Sequence, residues 1–240
     1  FITGGSATMD IAPPWTVLDD DVQPVCSDAI ARTYDARHYV INRFGCDNIQ
    51  VIDATSLDTI LEFSVGALAN PQDIVVVSNE KAYVTRYESP WLHIVNPTSG
   101  AVTDSISLAV FADGDGLPEM SMMARDGDRV FVQIQRLDRD DFYNPDPPSY
   151  LAVIDANTDA LIDVEPGISG IQGIRLTGTN PAGKMQIDPE ARRLYVTCGG
   201  RLDTRDGGVD VIDLDALTSL GFVTTEIQLG NEISCGRIVE

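Results

Sequence analysis

A pattern of four short apolar runs separated by turn residues recurs along this chain of 240 residues. It is clearest between Asn70 and Leu108, in NPQDIVVVSNEKAYVTRYESPWLHIVNPTSGAVTDSISL. Valine, isoleucine, threonine and tyrosine dominate the runs, whereas asparagine, proline, serine and glycine dominate the gaps. This composition is typical of short antiparallel strands joined by tight turns. The stretch therefore predicts one four-stranded antiparallel sheet.

Two sequence markers repeat together with this pattern. The second run of each repeat carries an aromatic residue followed by valine, at Tyr39-Val40, Tyr83-Val84, Phe131-Val132 and Tyr195-Val196. The third run ends in Asp or Asn, as VID at 51–53, IVN at 94–96, VID at 153–155 and VID at 211–213. The markers define four full repeats, at about 27–65, 70–108, 117–164 and 181–229. We expect residues 1–21 to hold the end of a preceding repeat and residues 236–240 the start of a following one.

Repeats of four strands and about 40–60 residues are typical of β-propellers, in which neighbouring blades stack around a channel. The segments AYVTRY, VIDATS and NPQDIVVV resemble the YVTN-type repeat family of β-propellers, whose bacterial and archaeal members are often exported or displayed at the cell surface. The resemblance covers most of the chain from Ser27 onward. It implies an all-β propeller domain, and the four repeats are called blades 1 to 4 from here on.

The resemblance also implies a cellular location for the protein and a number of blades for its domain. Because members of the family are often exported or displayed at the cell surface, we expect this protein to be extracellular, periplasmic or at the cell surface, and a lipoprotein is among the forms expected. Propellers usually have six to eight blades, so we expect this chain to be a fragment of a larger one. The chain begins at Phe1 without a signal segment, so any export signal is expected upstream.

The charge of the chain argues against two classes of partner. There are 37 acidic and 16 basic residues, and the net charge is −21. Nucleic acids and anionic membranes bind basic surfaces, so neither is expected as a partner. No apolar run approaches the roughly 18 residues of a membrane-spanning helix. Strong acidity is instead typical of proteins that work in a salty or extracellular medium.

All the long connections of the predicted blades belong to one face of a propeller. When strands are lettered A to D from the channel outward, the B–C loops and the D–A links share that face. The long ones are B–C loops 136–149 and 199–208, with D–A links 109–116 and 165–180. Loops elaborated on one side of a rigid scaffold commonly build binding sites, although drift of an unconstrained surface is the alternative. We therefore predict that this face binds a small ligand or a protein.

Charged residues recur at the channel mouth of the same face. Acidic or basic residues stand at the start of strand A, at Asp28, Asp73, Glu119 and Lys184. Arginines stand near the end of strand B, at Arg43, Arg86, Arg136 and Arg201. These eight residues could line a ligand-binding channel, or they could form ion pairs that hold the blades together. The sequence leaves both interpretations open.

Two loops have the aspartate spacing of calcium-binding loops. FADGDG contributes Asp113 and Asp115, and RLDRDDFYNPD contributes Asp138 and Asp140. Oxygen-rich loops of this kind suit Ca²⁺, but neither completes the EF-hand spacing. Ca²⁺ or another divalent cation is thus the one candidate cofactor. His38 and His93 are too few for a zinc site, and no catalytic motif is present.

Four cysteines allow three pairings, between which sequence alone does not choose. In a propeller, Cys26 and Cys46 would share the loop-bearing face of blade 1, and Cys198 and Cys235 would share that face beside blade 4. We therefore predict the disulfides Cys26–Cys46 and Cys198–Cys235, and hence an oxidising compartment. Four reduced thiols in a cytosolic propeller are the alternative.

Three functions are compatible with this sequence. The first is a non-enzymatic binding propeller, exported or displayed at the surface. The second is a lactonase-like or lyase-like enzyme that uses the channel-mouth carboxylates with a divalent metal. The third is a structural repeat protein of the cell envelope. The channel-mouth set contains no histidine for acid–base work, so the sequence favours a binding protein over an enzyme.

Overall fold

The computed structural model describes residues 3–9 and 12–233 of the chain. By its internal contacts the chain divides into two compact units. The first unit is Phe1–Val84 with His93–Asp104, and the second is Thr85–Leu92 with Ser105–Glu240. Neither of the two short helices in the described part of the chain is long and apolar enough to cross a bilayer.

The sheets before residue 108 follow the predicted repeat. Strands β1 (Thr3–Met9) and β2 (Val17–Cys26) form an antiparallel pair. The pair begins in residues 1–21, which were expected to end a preceding blade, and β2 continues past them to Cys26. Blade 1 is a four-stranded antiparallel sheet of β3 (Ala29–Tyr34), β4 (Arg37–Asn42), β5 (Asn48–Asp53) and β6 (Thr59–Ser64). Blade 2 contains β7 (Pro71–Ser78), β8 (Lys81–Arg86), β9 (Trp91–Val95) and β10 (Val102–Ser107), in that order across the sheet.

The second half of the chain holds two further blades, a separate two-stranded sheet and more irregular connections. A 3₁₀ turn at Ala109–Phe111 leads into blade 3, whose strands are β11 (Met120–Asp126), β12 (Arg129–Ile134), β15 (Tyr150–Asp155), β16 (Ala160–Leu161) and β17 (Ile174–Arg175). Two short strands, β13 (Leu137–Asp138) and β14 (Asn144–Pro145), pair inside loop 136–149. Blade 4 comprises β18 (Gln186–Asp188), β19 (Arg193–Cys198), β20 (Gly208–Asp213) and β21 (Thr218–Thr225), followed by helix α1 (Glu226–Leu229).

The outer strand of blade 3 differs from the predicted run LIDVE. It is split into β16 and β17, which pair with the two ends of β15. The Asp163 carboxylate accepts hydrogen bonds from the backbone N–H groups of Glu165 and Gln172. These bonds make residues 165–171 a loop that leaves the sheet. Pro166 and Gly167, near the start of this loop, disfavour a continuing strand.

The aromatic markers occupy equivalent positions in the sheets, as predicted. Each is the third residue of the second strand of its blade, in β4, β8, β12 and β19. In the first compact unit Tyr39 packs in a core with Ile74 and Val84 of blade 2. In the second, Phe131 packs in a core with Leu194 and Ile212 of blade 4. The rings of Tyr39 and Phe131 therefore fill the space between neighbouring blades.

The Asp or Asn that ends each third strand shapes the following turn. In blade 1 the Asp53 carboxylate accepts hydrogen bonds from the N–H groups of Thr55 and Ser56. The same pair of bonds to residues two and three positions later is made by Asn96, Asp155 and Asp213 in blades 2, 3 and 4. Short polar side chains stabilise turns in this way, which explains why the VID and IVN markers end in Asp or Asn.

One of the two predicted disulfides is confirmed. Cys26 and Cys46 are bonded, with their Cα atoms 6.6 Å apart. Disulfides persist in oxidising compartments, so this bond is consistent with an exported protein. Cys198 is fully buried, and Cys235 lies outside the described residues. The Cys198–Cys235 bridge therefore stays a prediction, as does the start of a following blade at 236–240.

Candidate functional site

Loop 136–149 is an ordered structure with its own hydrogen bonds. The β13–β14 pair closes it, and the N–H of Tyr143 donates to the carbonyl oxygen of Asp138 at 2.8 Å. The Asp138 carboxylate accepts hydrogen bonds from the N–H groups of Asp140 and Asp141. The tip of the loop is thus held as a compact turn rather than left as an open strand connection.

Arg139 is the centre of this site. Its guanidinium lies 2.6 Å from Glu88, 3.0 Å from Asp115 and 3.2 Å from Glu119, measured between nitrogen and carboxylate oxygen. The three acids come from two stretches of the second compact unit, Glu88 from residues 85–92 and Asp115 and Glu119 from the stretch that leads into blade 3. Charge-assisted hydrogen bonds of this kind are the strong ones in proteins, so Arg139 fixes loop 136–149 against its neighbours.

Two tyrosine rings enclose the same guanidinium. The Arg139 carbon Cζ lies 5.9 Å from the ring centre of Tyr87 and 5.7 Å from that of Tyr143. Both distances are within the range of cation–π attraction. Burial raises the pKa of Tyr87, and the negative charge of Glu119 adds to the rise. Tyr87 is therefore a neutral ring that packs against the cation.

The carboxylate of Glu119 is buried beneath Arg139. It accepts hydrogen bonds from Arg139 and from the N–H of Leu137, and it has no exposed surface. Burial raises its pKa to about 7 from an ordinary 4.5, although the Leu137 bond works against the rise. The negative charges of Asp115 and Asp113 contribute to this raised pKa, because like charges disfavour ionisation. Burial also raises the pKa of Asp113, with a contribution from Asp115.

A cavity of about 370 Å³ opens next to Arg139. Loops 109–116 and 136–149 supply its walls, which consist of Asp113, Gly114, Asp115, Asp138, Arg139, Asp140 and Asp146. Five carboxylates thus face one guanidinium, and Asp146 is itself paired with Arg136 at 3.0 Å. The cavity is a strongly negative recess of a size suited to a small ligand.

Some features of the cavity support the predicted divalent cation site, and one argues against it. Asp113, Asp115 and Glu119 bring carboxylate oxygens within 4.8 Å of one another, and the buried Asp113 Oδ2 has no hydrogen-bond partner among the described residues. Both features suit an oxygen-bound cation. Arg139 however already holds Asp115 and Glu119, so a metal would compete with a guanidinium. Asp138 and Asp140 line the same cavity, and Asp138 is engaged in the loop turn.

The acidic residues predicted at the channel mouth are each paired with an arginine. Arg43 pairs with Asp28 within blade 1, and Arg139 binds Glu119. Asp73 is fully buried and is held by two bonds from Arg32, at 2.6 Å and 2.8 Å. Arg32 and Arg139 were not in the predicted set. The acids thus form ion pairs, but of these three pairs only Asp73–Arg32 joins two blades, and a role of the acids in ligand binding stays a prediction.

The remaining members of the predicted set have other surroundings. Arg86 donates to the hydroxyl of Ser89, and Arg136 donates to the carbonyl of Pro148 as well as to Asp146. Lys184 and Arg201 are exposed. A role for these residues in ligand binding stays a prediction.

The four long loops lie against one another in the second compact unit. The carbonyl oxygen of Asn180 in link 165–180 accepts a hydrogen bond from the N–H of Gly199, and the Asn180 N–H donates one to the hydroxyl oxygen of Ser149. Link 109–116 contacts loop 136–149 through the Arg139–Asp115 pair. Contacts thus link the four long loops, whereas their placement around one channel mouth stays a prediction. Sequence reasoning missed Arg139, although it is an arginine in the middle of the acidic run RLDRDDFYNPD.

No protein-family model and no curated protein matches the sequence. Solved structures do match the fold. The chain is similar to hydrazine synthase of Kuenenia stuttgartiensis, with 16% identity and a TM-score of 0.55 over 77% of this chain and 45% of that one. It is equally similar to a putative 6-phosphogluconolactonase of Bacteroides fragilis, with 15% identity and a TM-score of 0.55 over 92% of this chain and 63% of that one.

A third match is quinohemoprotein alcohol dehydrogenase of Comamonas testosteroni, with 11% identity and a TM-score of 0.55 over 79% of this chain and 33% of that one. The chain thus spans between one third and two thirds of the length of these proteins. Structural similarity at sequence identities this low indicates a shared fold and does not indicate a shared activity. The four-stranded antiparallel sheets and these likenesses together show that the chain has the β-propeller fold.

Proposed function

We propose that the protein is an exported, non-enzymatic binding propeller that takes a cationic group into the acidic cavity of its loop-bearing face. The observation that carries the proposal is the cavity itself, in which five aspartates from two ordered loops surround a recess of about 370 Å³. The cationic group could belong to a small amine or to a lysine or arginine side chain, since both present the same charge to the carboxylates.

The ion pairs around the cavity leave several of its carboxylates available. The charge of Arg139 is matched by Glu88 and Glu119, which do not line the cavity, as well as by Asp115. Arg136 pairs with Asp146. Among the described residues, Asp113, Asp138 and Asp140 line the cavity without an ion pair, although Asp113 and Asp138 each accept backbone hydrogen bonds, and these three carboxylates are available to a ligand cation. The net charge of −21 would also attract cations from a distance and speed their association.

The exported location is supported by the Cys26–Cys46 disulfide. We place the protein at the cell surface, outside the cell or in the periplasm, as the resemblance to YVTN-type propellers implies. A disulfide of this kind would be reduced in most cytosols. A larger propeller, of which this chain forms part, would present the same loop-bearing face.

An enzyme that uses a divalent metal is the second candidate. It is favoured by the carboxylate oxygens of Asp113, Asp115 and Glu119, which lie within 4.8 Å of one another, and by Asp113 Oδ2, which has no hydrogen-bond partner in the part of the chain that the structure describes. Ca²⁺, Mg²⁺ or Mn²⁺ would suit these oxygen ligands and would polarise a carbonyl of the substrate. The similarity to a putative 6-phosphogluconolactonase makes ester hydrolysis the reaction to test.

Calorimetric titration distinguishes the two candidates. Putrescine should bind the wild-type protein, and binding should weaken at high salt because it rests on charge. The double variant Asp138→Asn/Asp140→Asn should lose most of the affinity, whereas the control Asp203→Asn, which removes one exposed charge outside the cavity, should not. Absence of putrescine binding, combined with Ca²⁺ or Mn²⁺ binding that Asp113→Asn abolishes, would instead favour the metal-dependent enzyme.

A further inference from the structure

Phe142 stands at the tip of loop 136–149 with 91% of its surface exposed. The neighbouring Tyr143 is 52% exposed. Isolated apolar residues on a protein surface are common, but two adjacent aromatic residues on one loop tip form a patch. Aromatic side chains of this kind are enriched in protein–protein interfaces, where they contribute much of the binding energy.

The backbone at the tip is strained in a way that presents these rings. Phe142 and Tyr143 have φ values of 54° and 60°, in the left-handed region that bulky residues seldom adopt. Two successive residues in this conformation persist only where the surrounding structure holds them. Here the Tyr143–Asp138 backbone hydrogen bond and the Asn144–Asp141 bond hold them. Glycine or asparagine would relieve the strain, yet the chain carries aromatic residues.

Loop 136–149 is also held in place by contacts of Tyr143 with Arg139. The Tyr143 ring packs on Arg139, whose guanidinium is bound by Glu88, Asp115 and Glu119. The aromatic tip is therefore organised before any partner arrives. Preorganisation of this kind lowers the entropy cost of binding.

The position of the tip beside the acidic cavity identifies the class of partner. Phe142 and Tyr143 do not line the cavity, so a small amine held there would leave the Phe142 ring exposed. A partner that covers both must be a macromolecule. Nucleic acids and anionic membranes would be repelled by the five aspartates that line the cavity. A basic protein segment with apolar side chains matches both surfaces.

We infer that Phe142 and the acidic cavity together form a docking surface for a basic and apolar protein segment. A lysine or arginine side chain of the segment enters the cavity, and an adjacent apolar side chain packs on the Phe142 ring. This inference rests on the proposed function, because it takes the cavity as a cation site. It adds the class of partner, a basic and apolar protein segment, and the residue Phe142 that the partner contacts.

Fluorescence anisotropy with three labelled synthetic peptides tests the inference. The first peptide carries four lysines and four leucines, the second four lysines and four serines, and the third four glutamates and four leucines, all with glycine spacers. The lysine–leucine peptide should bind at least about tenfold more tightly than the lysine–serine peptide, since burial of apolar side chains on an aromatic ring adds to the charge attraction. The glutamate–leucine peptide should not bind.

The variant Phe142→Asn removes the ring and keeps a residue that tolerates the left-handed backbone. It should abolish the advantage of leucine over serine and leave the affinity for the lysine–serine peptide unchanged. The control Leu202→Asn removes another exposed apolar side chain, 82% exposed on loop 199–208, and should retain the advantage. An equal affinity of the wild type for the two lysine peptides, or a leucine advantage that survives in Phe142→Asn, would overturn the inference.

The outcomes also separate this inference from the proposed function. If putrescine binds and the two lysine peptides bind with the same affinity as each other, the role of Phe142 is contradicted and the cation site is supported. Failure of putrescine and of all three peptides to bind would sink both.

Discussion

Arg139 donates two hydrogen bonds to a single oxygen of Glu119, from Nε and from Nη2, each at 3.2 Å. The arginine belongs to loop 136–149, and the glutamate directly precedes the first strand of blade 3. Glu119 is fully buried, whereas 25% of the Arg139 side chain is exposed. The pair therefore connects an exposed loop to the interior of the blade.

At about pH 8, where Glu119 is ionised, the variant Arg139→Gln should destabilise the protein by about 2–4 kcal/mol, because it leaves a buried carboxylate without its cationic partner. Urea unfolding measures the loss. Cleavage of loop 136–149 by a protease should become faster in the same variant. The control Arg205→Gln removes an exposed arginine of loop 199–208 and should change stability by no more than about 0.5 kcal/mol. Equal stabilities of the two variants would show that Arg139 holds nothing in place.

The raised pKa of Glu119 predicts a pH dependence of stability. Burial raises this pKa from 4.5 to about 7, so the folded protein retains a proton that the unfolded chain releases in this range. The stabilisation from protonated Glu119 is complete below pH 4.5 and is lost as the pH rises to about 7. Glu119→Gln cannot titrate, so its loss of stability between about pH 5 and about pH 8 should be smaller than that of the wild type.

Urea unfolding at the two pH values measures this difference. The control Glu190→Gln alters an exposed glutamate and should keep the wild-type dependence on pH. An identical pH dependence of the wild type and Glu119→Gln would contradict the assigned pKa.

Gly100 is required by the turn between the third and fourth strands of blade 2. Its φ is 74°, and a Cβ atom at this position would lie 2.5 Å from the Cβ of Phe63. Gly100→Ala therefore combines backbone strain with a clash against a buried ring, and should cost about 1–3 kcal/mol. Thermal unfolding measures the cost. Gly45→Ala has a φ of 88° but open space around its Cβ, so it should cost less; an equal cost for both would assign the whole effect to φ.

The disulfides make a prediction that thiol titration can check. The Cys26–Cys46 bond joins residues 20 positions apart, and its removal in Cys26→Ala/Cys46→Ala should cost about 2–4 kcal/mol. If the predicted Cys198–Cys235 bridge also forms, the denatured wild-type protein should contain no thiol that reacts with a thiol reagent. Two reactive thiols would restrict the disulfides to the observed bond.

Much of the fold was predictable because it depends on local chemistry. The positions of Tyr39 and Phe131 follow from strand periodicity, and the turn after Asp53 follows from the short reach of an aspartate side chain. The ion pairs were less predictable. Asp73 pairs with Arg32 of the neighbouring blade, and no spacing along the chain determines that choice. The position of Arg139 likewise depends on how two loops fold against each other.

Hydrogen exchange with and without putrescine tests most directly the claim that loops 109–116 and 136–149 build one cation-binding site. At a saturating concentration of putrescine, both loops should exchange more slowly, because the ligand contacts Asp113 of the first loop and Asp138 and Asp140 of the second. Loop 199–208 should exchange at an unchanged rate. Protection confined to another part of the chain, or no protection in a protein that binds putrescine, would contradict the claim.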